Sequence, residues 1–206
     1  MANHVMGETT IRGFNLGECI SAVQKAIRRG NEPEAVTFAC EIDQSGYGDM
    51  LWTRLLVITS EDVGLASPHL PGTIRALYEN YLLFKGRKRF TTTRLFTMNA
   101  VILLTRAKKS RAVDNCIWAT YGCDKPLVSE IPDYALDQHT ARGKALGRGW
   151  DFFQHESMRI ENPSDTPDPY HDRFWVEKVP NKDTFRKQGT TAEINETRPL
   201  FQYDID

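Results

Sequence analysis

The sequence predicts an all-α fold: a compact multi-helix domain of antiparallel helical hairpins over residues 1–158, with an extended tail over residues 159–206. Three observations predict it. Across the first two thirds of the chain, apolar residues recur at spacings of three and four, the period of helices with one buried face. Glycine, proline and polar breaks cut that pattern into short helices. Beyond residue 160 the period disappears and the chain becomes polar, with isolated aromatics.

Leu16, Ile20, Val23 and Ile27 form the first stripe, and Arg28-Arg29-Gly30 reads as its stop, with basic residues in the last turn and glycine beyond. Ala35, Val36, Phe38, Ala39 and Ile42 form the second stripe, which ends at Ser45-Gly46-Tyr47-Gly48. Asp49 then reads as the N-cap of a third helix carrying Leu51, Leu55, Leu56 and Ile58. Ser67-Pro68 reads as the cap and first turn of a fourth, through Ile74, Leu77, Tyr78, Tyr81 and Leu82, interrupted at Gly86. The segment from Leu95 to Leu104 is apolar nearly all round, which predicts the most buried helix. Ser110 is placed to cap a sixth helix carrying Val113, Cys116 and Ile117. Tyr134 to Leu146 and Trp150 to Met158 read as two further helices parted by Gly147-Arg148-Gly149. In the tail, Phe174, Trp175, Phe185, Phe201 and Tyr203 are candidate anchors.

Composition excludes several function classes. A formal charge of -1 removes the argument from a strongly basic whole chain. No apolar run approaches the roughly 18 residues of a membrane span, and MANHVMGETTIRGF lacks the basic and apolar regions of a secretory signal. Cys19, Cys40, Cys116 and Cys123 form no CxxC pair and are expected as buried free thiols. The expectation is a cytoplasmic or nucleoid-associated protein, neither secreted nor membrane-bound.

Charge is strongly polarised along the chain. Residues 85–111 hold nine basic side chains (Lys85, Arg87, Lys88, Arg89, Arg94, Arg106, Lys108, Lys109, Arg111) and no acidic one, whereas residues 150–206 hold seven basic and twelve acidic. Two basic clusters therefore flank the apolar helix, about 15 Å apart by helical rise. They form a candidate phosphate-tracking surface, with solvated helix ends or pairing to the acidic tail as the structural alternatives.

Three blocks of this chain, in order and at matching spacing, carry a family resemblance: AVQKAIRRGNEPEAVTFACEI (residues 22–42), TRLLVITSEDVGLASP (53–68) and FTMNAVILLTRAKKS (96–110). Residues 22–121 thereby resemble the helical C-terminal region of the replication-associated recombination AAA+ ATPases. The resemblance implies an oligomerisation region related to a clamp-loader collar, which in that family sits behind a motor acting at stalled replication forks. The sequence contains no GxxxxGK[ST] phosphate loop, so the collar is expected here without the motor. Within the second block, Ser60, Glu61, Asp62 and Gly64 place a hydroxyl beside two carboxylates. The structural explanation is a turn in which Ser60 caps, Asp62 accepts backbone donors and Gly64 supplies an unusual conformation.

Residues 131–156 have no counterpart in that resemblance and concentrate functional residue types. Asp137 and His139 with His155 or His171 are one metal-ligating combination, although no spacing enforces convergence. His139, Arg142, Lys144 and Arg148 among glycines 143, 147 and 149 are candidates for a phosphate-contacting turn. In a helix Asp133 and Asp137 are i, i+4 neighbours while His139 is displaced from them. In the structural reading Asp137 or His139 satisfies buried helix ends, and Gly147-Arg148-Gly149 turns the chain toward Trp150, Phe152 and Phe153. No nucleophile motif is visible. The resulting expectation is a non-catalytic module for self-association and for binding DNA or a replication or repair protein, with no cofactor and no metal. An enzyme on a phosphorylated or nucleotide substrate, using Asp133, Asp137, His139, Arg142, Lys144 and Arg148, is the alternative. A purely structural subunit is a third.

Overall fold

A computed structural model describes residues 7–171 and 173, so the tail aromatics Phe174, Trp175, Phe185, Phe201 and Tyr203 lie outside the described residues. The described chain is all-helical. Its one β feature is an isolated antiparallel bridge between Thr9 and Asn15. Contacts divide it into two compact units, parted between Leu127 and Val128.

Among the described residues the first unit contains six α-helices: α1 (Leu16–Arg29), α2 (Glu32–Gln44), α3 (Gly48–Ile58), α4 (Leu70–Gly86), α5 (Phe90–Arg106) and α6 (Ala112–Tyr121). Hairpins α1–α2 and α4–α5 pack together, because α5 lies against both α1 and α2. Asn15 caps α1 by accepting the Glu18 N–H at 3.1 Å, and α1 stops at Gly30 as its sequence predicts. The stripes of α1 to α3 converge on one core in which Leu16, Val23, Ile27, Ile42, Leu55 and Ile58 are fully buried. Trp52 is fully buried in it, donating its indole N–H to Thr97 Oγ1 at 3.1 Å and packing against both Tyr78 and Tyr81.

Several local readings are corrected. Asp49 does not cap α3; it lies in the first turn, behind Tyr47, and directs its carboxylate to Tyr81 and Lys85 of α4. The proline in the first turn of α4 is Pro71 rather than Pro68, and His69 is the residue before the helix. Helix α5 is not apolar all round in effect. Its buried face carries Thr93, Thr97 and Thr105 beside Ala100, Val101 and Leu104, while Leu95 is 69% exposed. The threonines are tolerated inside because each hydroxyl donates to a carbonyl three or four residues earlier in the helix. Of the four thiols only Cys19 is buried, and Cys116 and Cys123 are exposed.

Glu41 of α2 was not anticipated in the core. Its side chain is 1% exposed and accepts the Arg12 N–H at 3.0 Å, with the Arg12 guanidinium 3.4 Å from its second oxygen. Together with Ser45 Oγ, which accepts the Ile11 N–H, it ties the segment before α1 to α2.

In the second unit the predicted helix from Tyr134 to Leu146 is replaced by a 3₁₀ turn (Asp133–Ala135) and a five-residue helix α7 (Ala141–Ala145). The cause is local. Asp137 accepts the His139 N–H at 2.8 Å, which bends the chain, and Thr140 then caps α7 by accepting the Gly143 N–H at 3.0 Å. Gly143 passes so close to Asp137 that a Cβ there would lie 1.7 Å from its carbonyl oxygen. Trp150–Phe152 forms a single turn, α8, continued by a π-helical turn (Phe153–Ser157).

Leu55→Ala should lower the stability of the first unit by about 2–5 kcal/mol, read as a shift in urea midpoint, because this fully buried side chain leaves a cavity within a helix-packed core.

Candidate functional site

Three constellations bring charged or functional side chains together. The first surrounds Asp62, which lies in a π-helical turn (Thr59–Val63) between α3 and a 3₁₀ turn (Gly64–Ala66) and is fully buried. Among the described residues its donors are side chains rather than backbone N–H groups. Gln24 donates its amide N–H at 2.9 Å, Arg28 donates its Nε–H, and Arg111 donates from Nη1 at 3.1 Å. Glu61 accepts from Arg28 Nη2 at 3.0 Å and from Arg111 Nη1 at 3.3 Å, Arg111 also reaches Asp114, and Arg54 donates to Gln24 Oε1 at 3.2 Å. The Asp62 carbonyl accepts the Ser110 N–H at 2.9 Å. Gly64 leaves this turn at φ 47°, where a side chain is disfavoured and where a Cβ would sit 3.3 Å from the Ser110 carbonyl. Ser60 has a different place. It is exposed and, with Val57, Glu61, Val113, Asp114 and Ile117, lines a groove between α3 and α6.

The second constellation is the basic segment. Lys85 pairs with Asp49, Arg94 with Asp43 at 3.2 Å, and Arg106 grips Glu32 through two bonds of 2.6 and 2.8 Å. Lys109 donates to the Thr105 and Ala107 carbonyls at the end of α5, and burial pushes its ammonium below the ordinary lysine range. Arg111 belongs to the Asp62 cluster. Five of the nine basic side chains are therefore engaged within the protein, and four of those meet carboxylates from residues 32–62 or Asp114. Arg87, Lys88, Arg89 and Lys108 are exposed and have no carboxylate partner among the described residues. Three of these are consecutive, in the turn between α4 and α5, where Lys88 takes φ 56° and the Arg87 guanidinium lies 5.7 Å over the Phe84 ring.

The third constellation lies in the second unit. His139 Nδ1 is 3.0 Å from Asp137 Oδ2, and its ring meets Phe153 edge-on at 4.9 Å and Trp150 at 6.3 Å. The His139 hydrogen bond holds the Asp137 carboxyl below the usual carboxylate range. A carboxylate-oriented imidazole is equipped to move a proton. Arg148, however, is spent on the fold: it donates to the Asp133 and Leu136 carbonyls at 2.7 and 2.9 Å, pairs with the Asp133 carboxylate at 2.5 Å and covers the Phe152 ring at 3.9 Å. Arg142 and Lys144 are exposed on α7. Asp133 and Asp137 are not helical neighbours, since the chain bends between them. Among the described residues no group of three or more metal-ligating side chains comes together, and His155 is directed to the Asp151 carbonyl.

The blocks at 22–42, 53–68 and 96–110 thus supply α1 and α2, the Asp62 turn and the core of α5, which make up one packed unit. The replication-associated recombination protein A of Bacillus subtilis (strain 168) is 31% identical over 140 residues, covering 66% of this chain and 31% of the relative. The chain is related to the replication-associated recombination protein A family. The Haemophilus influenzae protein of that name is 27% identical over 166 residues, covering 74% of this chain and 34% of its own length. The chain therefore spans about a third of the length of these recombination proteins. No family model matches it. No helix of the described residues is long and apolar enough to cross a membrane.

Sequence reasoning missed Gln24, Arg28 and Arg54 as partners of the Asp62 turn, and Glu32, Asp43 and Asp49 as partners of the basic segment. A signal for the latter was present. Residues 32–62 hold seven acidic side chains and one basic, the complement of residues 85–111.

Asp62→Ala leaves two guanidiniums and an amide without their shared acceptor and should cost about 3–5 kcal/mol in chemical denaturation. A second prediction concerns acid. Hydrogen bonding from Lys85 holds the Asp49 carboxyl below the usual carboxylate range. Such a group stabilises the fold above its unfolded pKa and loses that contribution as pH falls through its folded one. Asp49→Asn should therefore flatten the pH dependence of stability below about pH 4, measured by urea unfolding across an acid series.

Proposed function

We propose that this chain is a non-catalytic helical module acting in DNA replication, recombination or repair, which holds DNA phosphates at the α4–α5 turn and associates with copies of itself or with a partner protein. The observation that carries the reading is the sorting of charge within residues 85–111. Arg94, Arg106 and Arg111 meet carboxylates at close range, so their charge is already compensated within the protein. Arg87, Lys88 and Arg89 stand together on the surface with no such partner among the described residues. Three adjacent cations at a helical-hairpin tip suit a phosphate backbone, whose affinity comes from charge and counterion release.

Assembly is supported by α6. None of its residues is buried, and Ile117, Trp118 and Tyr121 are 51%, 67% and 88% exposed. Val57 and Ile117 extend this apolar surface into the groove beside α3. Large apolar side chains grouped in this way mark an association surface more often than scattered single ones do. The names of the recombination relatives support the process, and the three cations without carboxylate partners support the means.

Charge reversal at Arg87, Lys88 and Arg89 together should weaken binding to a forked DNA and reduce the slope of log affinity against log salt by roughly 2–3. Fluorescence anisotropy across a salt series measures both. An unchanged slope with a folded variant would remove the turn from DNA binding.

A further inference from the structure

Phe90 opens α5 immediately after the three free cations and is 60% exposed, although a phenylalanine gains by burial. A single exposed apolar side chain is ordinary. This one is set apart by its surroundings. On one side it lines a hollow of about 390 Å³ with Lys88, Arg89, Thr91 and Thr92. On the other it borders a smaller hollow of about 160 Å³ with Tyr81, Lys85, Thr93 and Arg94. The ring is thus a ridge between two concavities, one walled by uncompensated cations. The backbone that leads into it is itself unusual, since Lys88 occupies the left-handed region at φ 56° without being glycine. Arg87 is steadied from below by the Phe84 ring, which in turn packs on Phe96 at 5.5 Å.

We infer that the α4–α5 turn binds single-stranded DNA, with Phe90 stacking on an unpaired base while Arg87, Lys88 and Arg89 hold the flanking phosphates. This inference rests on the proposed phosphate contacts of the same turn and names their substrate. Cations alone do not distinguish single strands from duplex. An exposed ring does, because a duplex base already has both faces stacked on its neighbours, whereas an unpaired base offers a free face to an aromatic side chain. Stacking of this kind accepts every base, so binding at the turn is independent of sequence.

The test uses the full chain with a labelled oligodeoxythymidine strand and a labelled blunt duplex, each titrated by anisotropy. Phe90→Ala should weaken single-strand binding about tenfold and leave duplex affinity and its salt slope unchanged. Phe90→Trp should restore the single-strand affinity, and thermal unfolding should be unaltered in both, because the ring is exposed. Unchanged single-strand affinity in Phe90→Ala overturns the inference, and so does an equal loss on strand and duplex. The phosphate reading survives either result provided charge reversal at Arg87, Lys88 and Arg89 still weakens both. A wild-type chain that binds neither DNA overturns both readings.

Discussion

Asp62 is the interaction on which the first unit depends. A carboxylate without solvent is costly unless it is neutralised and hydrogen-bonded, and here two guanidiniums and an amide supply that compensation. The donors come from α1 and from the residue that precedes α6, so satisfying one buried charge joins the first helix of this unit to the start of α6. The π-helical turn is the local cost. It carries Asp62 inward while its carbonyl remains free to take the Ser110 N–H. Breaking this cluster would expose an unpaired charge and loosen α1, the turn and α6 together. The resemblance block containing SEDVG is therefore explained by packing chemistry.

The same economy of charge shapes the surface. Acidic residues 32–62 and basic residues 85–111 would each repel themselves in isolation. Folding interleaves them through pairs such as Glu32–Arg106 and Asp49–Lys85. Exposed pairs of this kind contribute little stability singly. Their larger effect is on what remains. With those pairs made, positive charge concentrates at one turn instead of spreading over two helix ends.

Much of the fold was legible because its signals were local. Apolar spacing located α1 to α6, and Gly30 and Gly86 end α1 and α4 where their sequence context predicts. What failed depended on partners distant in sequence. Asp49 has the composition of a cap, yet Tyr81 and Lys85 bind its carboxylate from over thirty residues away. Thr93, Thr97 and Thr105 read as polar, but backbone carbonyls satisfy them inside the core. In residues 131–156 a helical period was assumed where the Asp137 carboxylate competes for backbone donors and wins. The candidate site was legible only as composition: nine cations could be counted, and which of them are free follows from the tertiary arrangement.

Helix α6 is held just before its start, by the Ser110 and Arg111 bonds to the Asp62 turn, and none of its residues is fully buried. It is anchored like a cantilever. Substitutions along its outer face alter surface chemistry without passing through the stability of the core. That separation lets the exposed face of α6 change while the body that carries the helix stays the same.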